Sequence, residues 1–310
     1  MKKLNKIKKL LEKNYNFKSN KYKYFPKTNE ELRKIVENLI KQYGTNVDLN
    51  NINVSNIDDF SVIFWQQTKF NGDVSEWDVS NGKTFEQMFK YCENAELNIS
   101  KWDVSNAVNF NSMFYDCHKF NSDLSIWEVS NANNFSEMFY DCYKFNSDLS
   151  NWDVSNGQNF RNMFYKCKYF NSDLSEWNVS NAVSFNDMFN ECYKFNSDLS
   201  NWDVSYATIF RGMFNFCYKF NSDLSNWDVS KGKSLDWMFA HCYIFDSDLS
   251  GWDVSNGNIF DGMFYYCKLF DADLSNWDTS NAIRWHSFAE KSLLERYPER
   301  IPEKFRNDYL

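Results

Sequence analysis

Residues 145–169 read FNSDLSNWDVSNGQNFRNMFYKCKY, and the chain repeats this 25-residue pattern almost without insertion or deletion. The tryptophan of the pattern recurs at Trp77, Trp102, Trp127, Trp152, Trp177, Trp202, Trp227, Trp252 and Trp277. The cysteine recurs at Cys92, Cys117, Cys142, Cys167, Cys192, Cys217, Cys242 and Cys267. A fixed period of this length predicts a repeat protein in which each unit packs mainly on its neighbours.

The residues around the tryptophan alternate in a way that predicts a short β-strand. In the segment 149–155, Trp152 and Val154 fall on one side of an extended chain and Asp153 on the other. The next residues, Ser155-Asn156-Gly157, favour a turn. Each repeat should therefore contribute one strand with an apolar face and a polar face.

The second half of the repeat has the apolar spacing of a short helix. Its apolar residues lie at i, i+3, i+4 and i+7, which is one face of a helix. These residues are Phe160, Met163, Phe164 and Cys167. The pattern predicts a unit made of strand, turn, short helix and turn.

The motifs in these two halves resemble those of a known family. L-x-x-W-x-V is a variant of the leucine-rich-repeat strand, and S-N-x-x-x-F-x-x-M-F-x-x-C-x-x-F resembles the BspA-like leucine-rich repeats of mycoplasma lipoproteins and other bacterial surface antigens. The resemblance implies an α/β fold, a leucine-rich-repeat solenoid with one parallel concave sheet and short helices on the convex side. It also implies surface adhesion or host contact as the setting.

Three segments are predicted from the limits of the repeat. Residues 1–45 form a basic N-terminal helical segment and cap, 46–281 hold about ten repeats, and 282–310 form a C-terminal cap and tail. The first repeat is degenerate, with Ile52 in place of the tryptophan and Gln67 in place of the cysteine. End repeats are commonly atypical because one side meets a cap or solvent.

Two helices are predicted before the repeats. Residues 1–20 have the spacing of a basic amphipathic helix, whose alternatives are a frayed tail and a membrane-surface segment. A second helix is predicted over 29–43, with Thr28 as its N-cap, Glu31 completing a capping box and Gly44 ending it.

The charge is divided unevenly along the chain, whose net charge is −8. Residues 1–43 carry 13 basic and 4 acidic side chains, whereas residues 44–280 carry 15 basic and 33 acidic ones. An acidic body disfavours nucleic acid as a partner, because phosphates require Lys and Arg. The N-terminus lacks the apolar stretch of a secretory signal and the chain lacks a transmembrane segment, so a cytoplasmic location is expected, with the family's surface or secreted location as the alternative.

One cysteine per repeat does not fit a zinc motif, which needs close pairs. We expect buried free thiols, with disulfides between adjacent repeats as the alternative. No nucleophile, base or phosphate loop converges on one place, so we expect neither catalytic residues nor a bound cofactor or metal. The chain is expected to be a monomeric, non-enzymatic protein.

Stacking in register turns each repeat position into a column with about 4.8 Å between neighbours. The candidate partner-binding column, here the Asp153 column, consists of Asp78, Asp103, Glu128, Asp153, Asn178, Asp203, Asp228, Asp253 and Asp278. A second row, the Asp148 column, consists of Asp73, Asp123, Asp148, Asp173, Asp198, Asp223, Asp248 and Asp273. The carboxylates of both columns either hold Ca²⁺ or a basic partner, or accept hydrogen bonds from nearby turn amides.

The aromatic columns have two interpretations as well. The tryptophans either form the core or stack on sugar rings, and their shared face with Val154 favours the core. Two tyrosine columns are candidates for contact with a partner. Their members are Tyr115, Tyr140, Tyr165 and Tyr265 in one, and Tyr143, Tyr193, Tyr218 and Tyr243 in the other. The predicted function is protein–protein interaction through an acidic concave face; the alternatives are an intracellular scaffold and a Ca²⁺-dependent binder or glycan-acting enzyme.

Overall fold

The structure, a computed structural model, describes residues 21–310. Its one α-helix, α1, spans Asn29–Tyr43, and three short 3-10 helices span Leu294–Arg296, Pro298–Arg300 and Glu303–Asp308. The repeats between them consist of turns joined by isolated bridges. The predicted basic helix at residues 1–20 lies outside the described residues.

Helix α1 confirms the predicted helix at both ends. The Thr28 side chain accepts a hydrogen bond from the Glu31 amide, and Gly44, with φ of 89°, ends the helix by donating its amide to the Ile40 carbonyl. The capping box differs in one partner, because the Glu31 carboxylate accepts from the Lys27 amide at 2.7 Å. Leu32, Val36 and Leu39 are buried, so the apolar stripe of the helix packs against the repeats.

The predicted α/β fold with one parallel concave sheet is wrong. Residues 21–310 contain no β-strand. Neighbouring repeats instead share single-residue parallel bridges, one per repeat, at equivalent positions. These bridges join Asp59, Thr84, Asn109, Asn134, Asn159, Ser184, Ile209, Ser234, Ile259 and Arg284 in succession. A one-residue bridge fixes the register of two repeats without forming a ladder.

The predicted helices on the convex side are also wrong. Residues 160–167 form successive turns: the Met163 amide donates to the Phe160 carbonyl at 3.1 Å and the Cys167 amide to the Phe164 carbonyl at 2.9 Å. The third residues of these two turns, Asn162 and Lys166, have φ of 54° and 61°. A left-handed residue at the third position is what a type II turn requires.

Hydrogen bonds between repeats explain why turns replace the helix. The amides of Phe160, Asn162, Phe164 and Lys166 donate to carbonyls of the next repeat at 2.8–3.2 Å. A helix would direct the same amides to carbonyls within its own segment. Consecutive four-residue turns also place an inward-facing residue every three or four positions. Their apolar spacing is therefore the same as that of one face of a helix.

The interior consists of side chains stacked on their equivalents in the next repeat, which confirms the tryptophans as core. The rings of Trp152 and Trp177 are parallel within 1°, with centres 6.5 Å apart, and Phe139 stacks on Phe164 at 5.7 Å. The nine recurring tryptophans are 3–5 % exposed. The cysteines are buried and free, which confirms the predicted thiols and excludes the disulfides between adjacent repeats.

Two polar hydrogens per repeat point backward along the stack. Each of the nine tryptophans at the position of Trp152 donates its indole N–H to a carbonyl 28 residues earlier at 2.9–3.1 Å. Every cysteine donates its thiol to a phenylalanine carbonyl 28 residues earlier at 2.9–3.2 Å. Each of these carbonyls also accepts a backbone amide of its own turn, as the Phe139 carbonyl does from Cys142. The side-chain donors therefore occupy its second acceptor position.

In the segment predicted as a strand, buried and exposed side chains alternate as expected, but the backbone forms no ladder of strand hydrogen bonds. Trp152 and Val154 are buried while Asp153 is exposed. The segment is interrupted by turns, since the Trp152 amide donates to the Leu149 carbonyl at 3.1 Å and the Gly157 amide to the Val154 carbonyl at 2.7 Å. Polar side chains supply the missing contacts between repeats, as in the bond from Asn156 Nδ2 to the Ser130 carbonyl at 2.7 Å.

Both ends of the stack are covered. At the first repeat, Tyr24 forms a parallel bridge with Ile52. At the last repeat, the Leu274 amide donates to the Arg300 carbonyl at 2.8 Å, and Phe305 packs on Phe288 with ring centres 5.1 Å apart. The C-terminal segment forms the three 3-10 helices at this end.

Candidate partner-binding surface

The Asp153 column lies on the surface, and all nine of its members are exposed. Its position follows from the alternation in each repeat, because Trp152 and Val154 on either side of Asp153 point inward. The stack therefore brings the predicted partner-binding residues together as one row along its length. Whether this row binds a partner stays a prediction.

The aspartates of this column also stabilise their own turns. Asp153 Oδ1 accepts the Ser155 amide at 3.0 Å, and equivalent bonds recur at Asp203, Asp228 and Asp253. Asn178 replaces the aspartate without loss of the bond, accepting the Ser180 amide at 3.1 Å. The hydroxyl and then the amide of Ser155 lower the pKa of Asp153, so the carboxylate is charged at neutral pH.

The Asp148 column shows the same arrangement, which confirms the interpretation of these residues as turn acceptors. Asp148 Oδ1 accepts the Ser150 amide at 2.9 Å. Bonds from Ser150 lower the pKa of Asp148, while the neighbouring charges of Asp173 and Asp123 oppose this with smaller effects. Hydrogen bonding within the turn therefore outweighs the repulsion along the column.

Near the C-terminal end of the stack, Asp246 adds a further carboxylate beside the Asp148 column. Asp246 takes the place of asparagine in its column, and its amide donates to Asn221 Oδ1 at 2.9 Å. A groove between adjacent turns is lined there by Asp223, Asp246 and Asp248. Burial and the nearby charge of Asp271 raise the pKa of Asp246.

The turn segment 161–169 and its equivalents carry the tyrosine columns. Tyr115 and Tyr140 stack at 4.2 Å, and Tyr193 and Tyr218 stack at 4.9 Å. Lysines cover several of these rings, as Lys90 does with its Nζ 4.0 Å from the Tyr115 ring centre. The tyrosines are thus ordered, partly exposed and next to positive charge, and a binding role for them stays a prediction.

One group of potential ligands was missed by the sequence analysis. Asp116, His118 and Asp141 place their ligand atoms within 4.8 Å of one another. The signal was present in the sequence, because Asp116-Cys117-His118 and Asp141-Cys142-Tyr143 occupy the same positions of adjacent repeats. Residues 25 apart become neighbours in this fold, so equivalent positions of adjacent repeats indicate which side chains meet.

These features define a protein of stacked 25-residue repeats joined by backbone bridges and backward-pointing side-chain bonds. The family described as Mycoplasma protein of unknown function, DUF285, matches residues 30–150, 125–218 and 195–294. The matches together span most of the chain, so the chain belongs to this family. No curated protein matches it.

The structure also bears on a membrane location. Within residues 21–310, no helix has both the length and the apolar character that crossing a membrane requires.

Proposed function

We propose that this chain is a non-enzymatic interaction module that binds a basic surface of another protein through the Asp153 column. The observation that carries the proposal is the row of exposed carboxylates held in place by turn amides, of which Asp153, Asp203 and Asp228 are examples. A fixed row loses little conformational entropy on binding, which favours affinity. Regularly spaced negative charge also favours encounter with a positive partner.

The nearby Asp148 column supports the same partner chemistry. Both columns are predominantly acidic, and the segment 44–280 carries 33 acidic against 15 basic side chains. Charge of one sign over an extended surface attracts an oppositely charged partner and repels acidic ones. We therefore assign the partner to the class of proteins with Lys- or Arg-rich surfaces.

The setting of this interaction is proposed from the resemblance to BspA-like surface antigens. Adhesion or host contact places the partner outside the cell, whereas a scaffold role places it inside the same cell. Protease treatment of intact producing cells distinguishes the two: digestion of this chain with survival of a cytoplasmic control supports adhesion. Survival of the chain until lysis supports the scaffold and overturns adhesion.

Site-specific photo-cross-linking tests the surface itself. A photoreactive amino acid at Asn151, which is exposed beside Asp153, should form a discrete adduct with the partner in producing cells. The comparison variant carries Asp153→Asn, Asp203→Asn and Asp228→Asn. It should lose the adduct because it loses three charges.

The asparagine variant is a matched control for folding. Asn178 occupies the same column and still accepts its turn amide, so the three substitutions remove charge and keep the turns. Unchanged adducts in the variant, or none in the wild-type chain, would overturn the proposed surface. Adducts that disappear on chelation of Ca²⁺ would replace it with the calcium-dependent alternative.

A further inference from the structure

Asp116, His118 and Asp141 form a compact group on the turn segments of two adjacent repeats. His118 Nε2 lies 2.7 Å from Asp116 Oδ1, and Asp141 brings a carboxylate oxygen within 4.8 Å of both ligand atoms. Both side chains of the His118–Asp116 pair are mostly shielded from solvent, with 29 % and 23 % exposed. The group is accessible to a small ion but not to bulk water on all sides.

The backbone and a stacked ring hold these groups in place. The Asp116 amide donates to the Tyr140 carbonyl and the Asp141 amide to the Tyr165 carbonyl, each at 2.7 Å. The His118 ring stacks on Tyr143, with centres 4.5 Å apart and planes within 12°. A ligand set held by its surroundings before the ion arrives binds it with less reorganisation.

The Asp141 carboxylate has an oxygen that the protein does not use. Its Oδ1 is buried and accepts no hydrogen bond within the described residues. A buried acceptor without a partner is costly, and most such atoms in proteins are bonded to a group or an ion.

The position also breaks the regularity of the repeat. Elsewhere in the column that contains Asp116 and Asp141, the residues are mostly uncharged or basic, such as Tyr91, Lys166 and Phe216. His118 is the only histidine in its own column. Neither the core nor the acidic columns require these residue types here.

From this geometry we propose that Asp116, His118 and Asp141 bind a borderline divalent cation such as Zn²⁺. One imidazole nitrogen and two carboxylate oxygens suit Zn²⁺, whereas Ca²⁺ and Mg²⁺ prefer oxygen ligands alone. Tetrahedral Zn²⁺ with bonds near 2.0–2.2 Å needs ligand atoms about 3.3 Å apart. The cation takes the place of the hydrogen bond between His118 Nε2 and Asp116 Oδ1, widens that contact slightly and draws the Asp141 oxygen inward.

Two lysines near the group oppose the cation. Lys166 and Lys168 both attract the Asp141 carboxylate, and Lys168 Nζ lies 4.9 Å from the Tyr143 ring centre. We therefore expect Lys166→Gln to tighten Zn²⁺ binding, because it removes a positive charge near the cation. Weaker binding by that variant contradicts the proposal.

Isothermal titration of the reduced chain with zinc chloride tests the site. The wild-type chain should take up one equivalent, and Asp141→Asn and His118→Asn should each weaken binding by about tenfold or more. His286→Asn is the matched control, because His286 also lies beside a carboxylate, 3.4 Å from Asp261, but outside this group. Absence of saturable uptake, or equal uptake by all variants, overturns the proposal.

Co²⁺ in place of Zn²⁺ identifies the ligands by a second measurement. Thiolate charge-transfer absorption would assign the metal to the cysteines and overturn the site. Its absence, together with a Co²⁺ visible spectrum that His118→Asn and Asp116→Asn each abolish, supports the proposed ligand set. A melting temperature of each metal-free variant equal to that of the wild-type chain shows that its fold is intact.

Discussion

The first repeat and the interior repeats differ in the side chains that point backward along the stack. Interior repeats have Trp152 and Cys167, whose polar hydrogens donate to carbonyls 28 residues earlier. The first repeat has Ile52 and Gln67 at these positions. No repeat precedes it. The residue 28 positions before Ile52 is Tyr24, whose carbonyl accepts the Asn53 amide. The residue 28 positions before Gln67 is Leu39, which lies in α1.

The aspartates that accept turn amides are the same in the first repeat and in the interior repeats. In the first repeat, Asp48 Oδ1 accepts the Asn50 amide at 2.9 Å, as Asp148 accepts the Ser150 amide in an interior repeat. These bonds lie within one turn and need no neighbour. The aspartate that builds the turn is therefore present in both the first and the interior repeats. The tryptophan and cysteine that join a repeat to the previous one are absent only from the first repeat.

The largest effect is expected from the tryptophan. Trp152→Ala should lower the free energy of unfolding by about 3–5 kcal/mol, because it opens a cavity and removes the indole hydrogen bond to the Leu124 carbonyl, which keeps only the Trp127 amide. Ile52→Ala removes packing alone and should cost about 2–3 kcal/mol. Urea denaturation of the two variants measures the difference.

The two variants should also unfold differently. Limited proteolysis of Trp152→Ala should release two large fragments, since each repeat depends on its neighbours and the stack divides at the defect. Ile52→Ala should lose only its N-terminal end. Identical fragments from both variants would show that the first repeat is joined to the stack in the same way as the others.

The cysteine should give a smaller difference of the same kind. Cys167→Ala should cost about 1–2 kcal/mol, because the buried thiol contacts the Phe139 carbonyl at 3.0 Å. Gln67→Ala, at the equivalent position of the first repeat, should change stability by less than about 0.5 kcal/mol. Thermal unfolding under reducing conditions checks both, and an equal loss would refute the role of the thiol in joining repeats.

The sequence predicted the interior better than the backbone. The positions of Trp152, Phe160, Phe164 and Cys167 were placed correctly in the core, because periodicity reports which residues are buried. Periodicity could not distinguish a helix from consecutive turns, since both return Phe160 and Phe164 inward. The deciding bonds, from the Phe160 and Phe164 amides to the next repeat, involve backbone atoms and have no side-chain signature.

The candidate sites were predicted to different extents for a related reason. The Asp153 column was readable because its position recurs in every repeat. The Asp116–His118–Asp141 group occurs once, and a search for recurring features passes over it. The alternating positive φ of residues such as Asn162 was also not predictable, because residues other than glycine seldom adopt it.

Left-handed positions offer a further contrast between the two regions. Val62 in the first repeat has φ of 57°, an unfavourable conformation for a β-branched residue. The interior repeats have no β-branched residue at the equivalent position: two have Gly212 and Gly262, and others have residues such as Asn162. Val62→Gly should raise the free energy of unfolding by about 0.5–1 kcal/mol, because relief of the left-handed strain exceeds the entropy cost of glycine.

The reverse change is its control. Gly262→Ala should destabilise the chain, because the new Cβ would lie 2.5 Å from the Trp237 ring and would take a left-handed conformation. Urea denaturation measures both variants. A loss of stability in Val62→Gly would show that the valine side chain contributes more through packing than it costs in strain.

The smallest effect per residue is expected from the acidic columns, where it depends on pH. Hydrogen bonds from the amide and hydroxyl of the following serine lower the pKa of Asp148, Asp173 and Asp198. A carboxyl with a lowered pKa contributes stability that is present above its unfolded pKa of about 3.9 and is lost as the pH falls through its folded pKa. The melting temperature should therefore fall in acid below about pH 4. The melting temperature of the triple variant Asp148→Asn, Asp173→Asn, Asp198→Asn should fall less steeply.

Glu128→Gln is the control, because Glu128 accepts no turn amide within the described residues. If Glu128→Gln reduced the loss of melting temperature in acid as much as the triple variant does, general charge repulsion rather than the turn bonds would be the cause.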